Sequence, residues 1–243
     1  DVVYEVSGAE ADRINIEEVF EDTLRKCYAN DYKKNKNQHF SSSTELREFF
    51  EDGKEILSFV KKNRSLYFSK KGWHLVGCEV PIVMAPNLRL NRVKYMGYLD
   101  VVMYHEPTNT FKIIDIKTST KGWNKWNKKD ESKHFQLVLY KYFFGKQYNI
   151  PLENIEIEFF IVRRKVYLDG EYPQKRVQQF VPASGKVKLN KATTNLNEFI
   201  GKAFNLDGTY KDTIFNAKPS KWNCTFCPYK TNSELCNAIG KNL

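Results

Sequence analysis

The sequence predicts an α/β fold, with β-strands in the middle of the chain and helices before and after them. Two β-rich segments, Tyr98–Tyr104 and Phe111–Lys117, flank a short polar segment, as the strands of a hairpin do. Apolar residues recur at helical spacing before this hairpin, near residues 9–30 and 45–63. A helical segment at 130–146 is followed by a strand-like run rich in Ile and Phe.

Length and composition predict a single domain over residues 1–243 with a substantial core. We expect an N-terminal helical part over 1–70, a core over 73–182, and a C-terminal helix with a cysteine-bearing tail over 183–243. No apolar run in the sequence is long enough to span a membrane. The start, Asp1–Tyr4, lacks Met and signal-peptide character, which indicates an internal start.

The net charge of +10 suits a polyanionic partner such as nucleic acid, or an anionic membrane surface. Lysines supply most of the excess and are spread along the chain, so a biased genome composition is an alternative explanation. The five cysteines are unevenly spaced and do not resemble a disulfide framework. We therefore expect a cytoplasmic protein with reduced or metal-bound cysteines, and the richness in lysine and aromatic residues is compatible with a phage protein.

Two helices are predicted before the strands. The first covers residues 9–30, and acidic residues lie between its apolar positions: Asp12, Glu17, Glu18 and Glu21. These acids either face solvent or reach toward a metal ion. The second helix begins at a serine-rich cap before Glu45 and ends near Asn63. The sequence offers no reason for Gly53 in its interior.

A strand over Trp73–Met84 follows, and then a turn over Pro86–Arg89. Cys78 is expected to be a small core residue. Glu79 is expected to point away from the face shared by Cys78 and Val80. It is either an outer acid of a metal site or an ordinary exposed strand residue.

The hairpin register follows from its turn. The segment His105–Thr110 contains Pro and Asn and no apolar residue, so it is predicted to be the turn. If the turn is centred on the middle of this segment, the numbers of paired residues add up to 215. Asp100 then lies opposite Asp115, with Cβ atoms roughly 5 Å apart on one face of the sheet.

Lys117 is two residues beyond Asp115 and therefore shares its face. Ile114 and Ile116 are expected to point the other way, into a core. Two opposed carboxylates in apolar sequence repel each other and resist desolvation, and a divalent cation would relieve both effects. Aspartate oxygens suit Mg²⁺ or Mn²⁺, and a neighbouring lysine can orient water or stabilise charge on a phosphate. The alternative is a solvated strand face with an ordinary Asp–Lys ion pair.

The segment Thr118–Trp126 is predicted to be a basic loop with two tryptophans, which either stack on unpaired bases or anchor the loop. The helix over Asp130–Lys146 places Gln136 and Tyr140 on one face. His134 faces elsewhere and is expected to be structural or exposed.

Strands near 154–165 and 174–182 and a helix near 190–205 complete the predicted elements. The basic cluster Arg163–Lys165 is either a DNA contact or a solvated strand end.

The C-terminal tail contains a Cys-x-x-Cys motif, Cys224 and Cys227, with Cys236 shortly after it. Three such thiolates with a fourth from Cys27 or Cys78 could hold zinc or an iron–sulfur cluster. The alternative is a set of free thiols.

Three short motifs occur along the chain in a fixed order. They are Gly-x-x-Asp (Gly97, Asp100), Asp-x-Lys-Thr (Asp115, Lys117, Thr118) and Gln-x-x-x-Tyr (Gln136, Tyr140). This order resembles the PD-(D/E)XK nuclease superfamily in its RecB-like exonuclease branch, over roughly residues 75–165. The resemblance implies a restriction-endonuclease-like core, in which helices flank a central mixed β-sheet.

The resemblance also implies roles for individual residues. The ligands of Mg²⁺ or Mn²⁺ would be the side chains of Asp100 and Asp115 and the carbonyl of Ile116. Lys117 would position the attacking water. The last motif, Gln136 and Tyr140, would hold DNA near the site.

The iron–sulfur members, AddB-like and CRISPR-associated nucleases, are similar in the tail, since they place one cysteine before the nuclease core and three after it. By this likeness Cys27, Cys224, Cys227 and Cys236 would bind a cluster, with zinc as the alternative. Many members of the branch carry a metal-binding histidine in the first helix. This chain has none there, and Asp12 or Glu17 would take its place.

We therefore predict a metal-dependent DNA nuclease, an exonuclease on single-stranded DNA or DNA ends. Its partners would be DNA and a helicase or recombination protein, and no membrane. The alternative is a nucleic-acid-binding module that keeps this fold but does not cut. A membrane-surface or scaffold protein has only the net charge in its favour.

Overall fold

The computed structural model describes residues 7–69, 71–86, 92–167, 174–212, 219–230, 232, 234 and 236. The helices are α1 (Gly8–Arg13), α2 (Ile16–Lys34), α3 (Ser43–Lys62), α4 (Arg64–Tyr67), α5 (Lys125–Lys129), α6 (Glu131–Gln147), α7 (Lys186–Ala203) and α8 (Lys221–Thr225). The strands are β1 (Trp73–Met84), β2 (Tyr95–His105), β3 (Thr110–Ser119), β4 (Ile155–Arg163) and β5 (Val177–Phe180). Asp1–Tyr4, and the predicted Pro86–Arg89 turn beyond its first residue, lie outside the described residues.

The five strands form one sheet in the order β1–β2–β3–β4–β5. Strands β3 and β4 are parallel, and the other neighbours are antiparallel. A parallel pair needs a long crossover, which here contains helix α6. The predicted α/β fold with a mixed sheet flanked by helices is therefore confirmed. Within the described residues, no helix combines the length and the apolar character that crossing a membrane requires.

The sheet carries a hydrophobic core on each face, because successive strand residues point to opposite sides. The larger core joins Ile113, Phe159 and Ile161 of the sheet to α6 and α7. The smaller core joins Ile114 and Phe160 to residues of α3 and α4. Helix α6 therefore covers the face that carries the odd-numbered residues of β3.

The hairpin has the predicted register. The paired residues run from Val101–Ile114 to His105–Thr110, and their numbers add up to 215. Asn109 closes the turn in the left-handed conformation, with φ of 49°, which asparagine tolerates better than most residues. Ile114 is buried as expected, but the expectation for Ile116 was wrong because its side chain is 39% exposed.

The N-terminal segment forms two helices where one was predicted. Helix α1 ends at Arg13, and α2 begins after Asn15, whose side chain accepts a hydrogen bond from the Glu18 N–H at 3.4 Å. The apolar spacing continues across this break, so the periodicity conceals it. Helix α3 begins at the predicted cap, where Ser42 and Glu45 form a capping box.

Gly53 in α3 lies against Phe20 of α2. A Cβ atom at residue 53 would lie 2.3 Å from Phe20 Cζ. The glycine therefore provides the space in which the Phe20 ring packs against α3.

The regular alternation of side chains along strand β1 is interrupted at Glu79, whose φ of 52° lies in the left-handed region. Before it, Cys78 pairs with Val101 and lines a cavity of about 390 Å³ beneath α1 and α2. After it, Val80 pairs with Leu99 and packs against the larger core. Cys78 and Val80 therefore do not share a face, and Cys78 is exposed rather than part of the core.

The later elements differ from prediction mainly at their ends. Helix α7 begins at Lys186, earlier than the predicted start near residue 190, and β5 is shorter than the predicted strand. Gly185 precedes α7 in an extended conformation without a side-chain cap, so no capping residue marks this start in the sequence.

Two helical glycines give matched tests of packing. A Cβ at Gly145 in α6 would lie 2.9 Å from the Ile150 carbonyl oxygen, whereas a Cβ at Gly201 in α7 would have no atom within 4 Å. We expect Gly145→Ala to lower the free energy of unfolding by about 1–3 kcal/mol. We expect Gly201→Ala to raise it by about 0.4–1 kcal/mol, because alanine loses less backbone entropy. Urea unfolding measures both, and a change of the same sign in the two variants would contradict this packing.

Candidate active site

The structure brings the two predicted carboxylates together on neighbouring strands. Asp100 lies in β2 and Asp115 in β3, one step beyond the last hydrogen-bonded pair of the hairpin. The Ile116 N–H donates a hydrogen bond of 2.6 Å to Asp100 Oδ2. This bond fixes the Asp100 carboxylate against the backbone of β3, next to Asp115.

Asp115 is the buried member of the pair, with 3% of its surface exposed. Burial raises the pKa of its carboxyl group, the hydrogen bond and charge of Lys117 lower that pKa, and the charge of Asp100 raises it. The net pKa shift is upward. The ionised form of Asp115 is thus disfavoured in the folded protein unless additional positive charge is present.

Lys117 links this pair to helix α6. Its Nζ lies 2.7 Å from Asp115 Oδ2 and donates a hydrogen bond of 3.3 Å to Gln136 Oε1. Gln136 Nε2 in turn donates to the Tyr140 hydroxyl at 3.1 Å. We call Asp115, Lys117, Gln136 and Tyr140 the polar chain. It orients the ammonium group between the carboxylate and α6.

Tyr140 belongs to the core as well as to the polar chain, since only 7% of it is exposed. Its ring packs on Gly97 of β2, where a Cβ atom would lie 2.6 Å from Tyr140 Cε1. The glycine of one motif therefore makes room for the tyrosine of another. The structure shows Tyr140 supporting Gln136, and a contact of either residue with DNA stays a prediction.

The acids of the N-terminal helices are engaged elsewhere. Asp12 pairs with Arg64 at 3.0 Å, and Glu17 pairs with Lys54 at 3.3 Å. Glu18 accepts a hydrogen bond from Asn15, and Glu21 pairs with Arg25. The structure thus does not support Asp12 or Glu17 in place of the absent histidine.

Glu79 lies across from Asp100 in the register between β1 and β2, with its side chain exposed. In the part of the chain that the structure describes, no three His, Cys, Asp or Glu side chains form a group able to hold a metal ion. Asp100 and Asp115 therefore form a two-carboxylate site, without Glu79 as a third ligand.

The four cysteines assigned to a cluster do not form a ligand set. Cys27 is exposed, whereas Cys224, Cys227 and Cys236 are half-buried. Because the described residues contain no group of three such donors, the structure gives no support for an iron–sulfur cluster or a zinc ion. The cluster stays a prediction from the resemblance.

The two tryptophans after β3 have different environments. Trp123 packs against Phe159, with ring centroids 4.9 Å apart, and its backbone N–H donates a hydrogen bond of 2.8 Å to Gln178 Oε1. Trp126 is 67% exposed. The anchoring alternative thus fits Trp123 and leaves Trp126 available. His134 packs against Phe180, as expected for a structural histidine.

The three residues of the basic cluster at the end of β4 also have different contacts. Arg164 pairs with Asp52 at 3.2 Å and Lys165 with Glu48 at 2.5 Å, and both acids belong to α3. These two residues fasten α3 to the sheet. Arg163 has no ion pair with a described acid, and it follows Phe159 and Ile161 on the face that carries the polar chain.

The contact between Gly97 and Tyr140 predicts a measurable coupling. We expect Gly97→Ala to lower the free energy of unfolding by about 1–3 kcal/mol, because the buried ring has little room to move. In a Tyr140→Ala background the same change should be much less destabilising. Urea unfolding of the four proteins measures this coupling. Equal effects of Gly97→Ala in both backgrounds would contradict the contact.

The raised pKa of Asp115 predicts how stability depends on pH. A carboxyl group with a raised folded-state pKa stabilises the fold below its unfolded pKa of about 3.9, and this contribution is lost as pH rises through the folded-state pKa. Asp115→Asn cannot ionise. In EDTA, the melting temperature of Asp115→Asn should therefore increase relative to that of the wild type as the pH rises from about 4 to 8. A difference that stays constant or falls over this range would contradict the assigned burial of Asp115.

Comparisons with known proteins give one family match and similar solved structures. A family model described as the PD-(D/E)XK nuclease superfamily matches residues 4–232. No curated protein matches the chain significantly. One similar solved structure is a protein from Eubacterium rectale described as a "Putative exonuclease", with 12% sequence identity and a TM-score of 0.44. The match covers 87% of this chain and 78% of that one.

The family match spans nearly the whole chain and includes the motifs that form the site. The opposed aspartates, the neighbouring lysine and the Gln-x-x-x-Tyr helix all lie within the residues that the family model matches. The chain belongs to the PD-(D/E)XK nuclease superfamily.

Proposed function

We propose that this nuclease is a metal-dependent deoxyribonuclease, and that it acts as an exonuclease on single-stranded DNA or DNA ends. The observation that carries the proposal is the arrangement of Asp100, Asp115 and Lys117 on one face of two neighbouring strands. The net charge of +10 favours a polyanionic substrate.

The residues of the site fit a divalent cation. Asp115 is buried, lies beside the negative charge of Asp100, and has a raised pKa. A cation would offset both the desolvation and the repulsion that raise this pKa. Asp100, Asp115 and the main chain of Ile116 would hold Mg²⁺ or Mn²⁺, whose preferred ligands are oxygens. When bound, the cation would polarise a phosphoryl oxygen and lower the pKa of a coordinated water.

Lys117 has the geometry of a positioning residue for the attacking water. Its side chain is about one-third exposed, so its ammonium group reaches both Asp115 and solvent. Held in this position, the ammonium group can hydrogen-bond a water and stabilise negative charge on the phosphate. Gln136 and Tyr140 restrict the position of the lysine through the polar chain.

A non-cleaving nucleic-acid-binding protein is the second candidate function. It is favoured by the two-carboxylate composition of the site, to which the described residues add no third acid. Such a protein would bind DNA and leave it intact in every metal.

Cleavage assays distinguish the two functions. Labelled single-stranded, blunt duplex and circular DNA are incubated side by side with Mg²⁺, Mn²⁺ or EDTA. We expect metal-dependent loss of the linear substrates, with circular DNA spared because exonucleases need an end. We expect Asp115→Asn and Lys117→Met each to reduce the rate by about 10²-fold or more.

Glu158→Gln is the matched control, because Glu158 is also a buried strand carboxylate but pairs with Lys112 and Gln179. Its rate should stay near that of the wild type. Mg²⁺ should also raise the melting temperature of the wild type, and not that of Asp115→Asn. Unchanged cleavage by Asp115→Asn would reject the assigned site, and intact DNA under all conditions would select the binding protein.

A further inference from the structure

We propose that helix α5 is a stacking platform for an unpaired base of single-stranded nucleic acid next to the active site. The α5 platform consists of Trp126 and the flanking lysines Lys125 and Lys129. The inference deepens the proposed function and depends on it for the nature of the substrate. It assigns to Trp126 a role in selecting single strands over duplexes.

The α5 platform is tethered to the candidate active site at both ends. The contact between Lys117 Nζ and Gln136 Oε1 closes the segment 118–135 into a loop, and α5 lies within this loop. The loop leaves the sheet at Ser119, about 7 Å beyond Lys117 along the strand. A strand bound with one phosphate at Lys117 would therefore have neighbouring nucleotides beside this loop.

Trp126 combines an exposed ring with nearby positive charge. It is 67% exposed, and the Nζ atoms of Lys125 and Lys129 lie 5.2 Å and 5.9 Å from its ring centroid. Neither lysine forms an ion pair with any acidic residue that the structure describes. Both ammonium groups are thus available to phosphates while the ring is available to a base.

The α5 platform is held in place before any ligand binds. Asn124 Oδ1 accepts hydrogen bonds from the N–H groups of Trp126 and Asn127, each 2.9 Å long. Lys133 of α6 donates to Asn127 Oδ1 at 2.6 Å. Trp123, just before α5, packs against the core. This preorganisation reduces the entropy lost when a base stacks on the ring.

Single strands suit the α5 platform because their bases can leave the stack and expose an aromatic face. In a duplex, each base is already stacked and paired. Trp126 should therefore contribute to the affinity for single strands and little to that for duplexes. The lysines would attract both forms through their phosphates.

Binding measurements in EDTA test the α5 platform separately from catalysis. Fluorescence anisotropy gives the Kd of labelled single-stranded and blunt duplex DNA for the wild type, Trp126→Ala and Trp126→Phe. We expect Trp126→Ala to weaken single-strand binding by about 5- to 100-fold and duplex binding by less than about 2-fold. Trp126→Phe should retain most of the affinity, since its ring still stacks. Phe199→Ala, which removes another half-exposed aromatic from helix α7, should have no effect.

An abasic single strand identifies the group that Trp126 contacts. Replacing several bases by abasic sites should weaken binding to the wild type, and should have much less effect on Trp126→Ala. Equal weakening of single strands and duplexes, or an unchanged abasic effect in Trp126→Ala, would overturn the stacking role. If Trp126→Ala loses affinity for single strands while the wild type cleaves no DNA in Mg²⁺ or Mn²⁺, the α5 platform is supported and the nuclease activity proposed above is rejected.

Discussion

The residues of the candidate active site are arranged around the buried carboxylate of Asp115. It lies in the sheet interior beside Asp100 and is balanced by one ammonium group, that of Lys117. A single ammonium group near two carboxylates leaves excess negative charge where solvent is scarce. The fold therefore retains an unfavourable arrangement, and such arrangements are typical of functional sites.

The surrounding structure explains how this arrangement is held. The parallel β3–β4 pair places Asp115 against the fully buried Phe159, and the crossover helix α6 brings Gln136 over Lys117. Gly97 lets Tyr140 pack close enough to support Gln136. Residues from three motifs, far apart in sequence, thus act on the position of one lysine Nζ atom.

Local rules predicted most of the site, because its central part is a hairpin. Turn composition alone predicted the register that places Asp100 beside Asp115, and helical spacing placed Gln136 and Tyr140 on one face.

The change of face at Glu79 was not predictable, because a left-handed residue within a strand does not alter the pattern of apolar residues in the sequence. The break near Asn15 was missed for a similar reason. Long-range packing determines the different environments of Trp123 and Trp126 and the pairing of Arg164 with α3. Such contacts between distant segments cannot be recognised from the pattern of a single sequence. The contact of Gly97 with Tyr140 likewise becomes evident only when both elements are placed.

The location of a bound cation shows whether Asp100 and Asp115 form a metal site. Crystals of the wild-type protein soaked in Mn²⁺ would show the ion by its anomalous scattering. We expect an anomalous peak in contact with carboxylate oxygens of both Asp100 and Asp115, with Lys117 Nζ nearby. A peak elsewhere, or Mn²⁺-soaked crystals in which these carboxylates contact only Lys117 and the backbone, would contradict it.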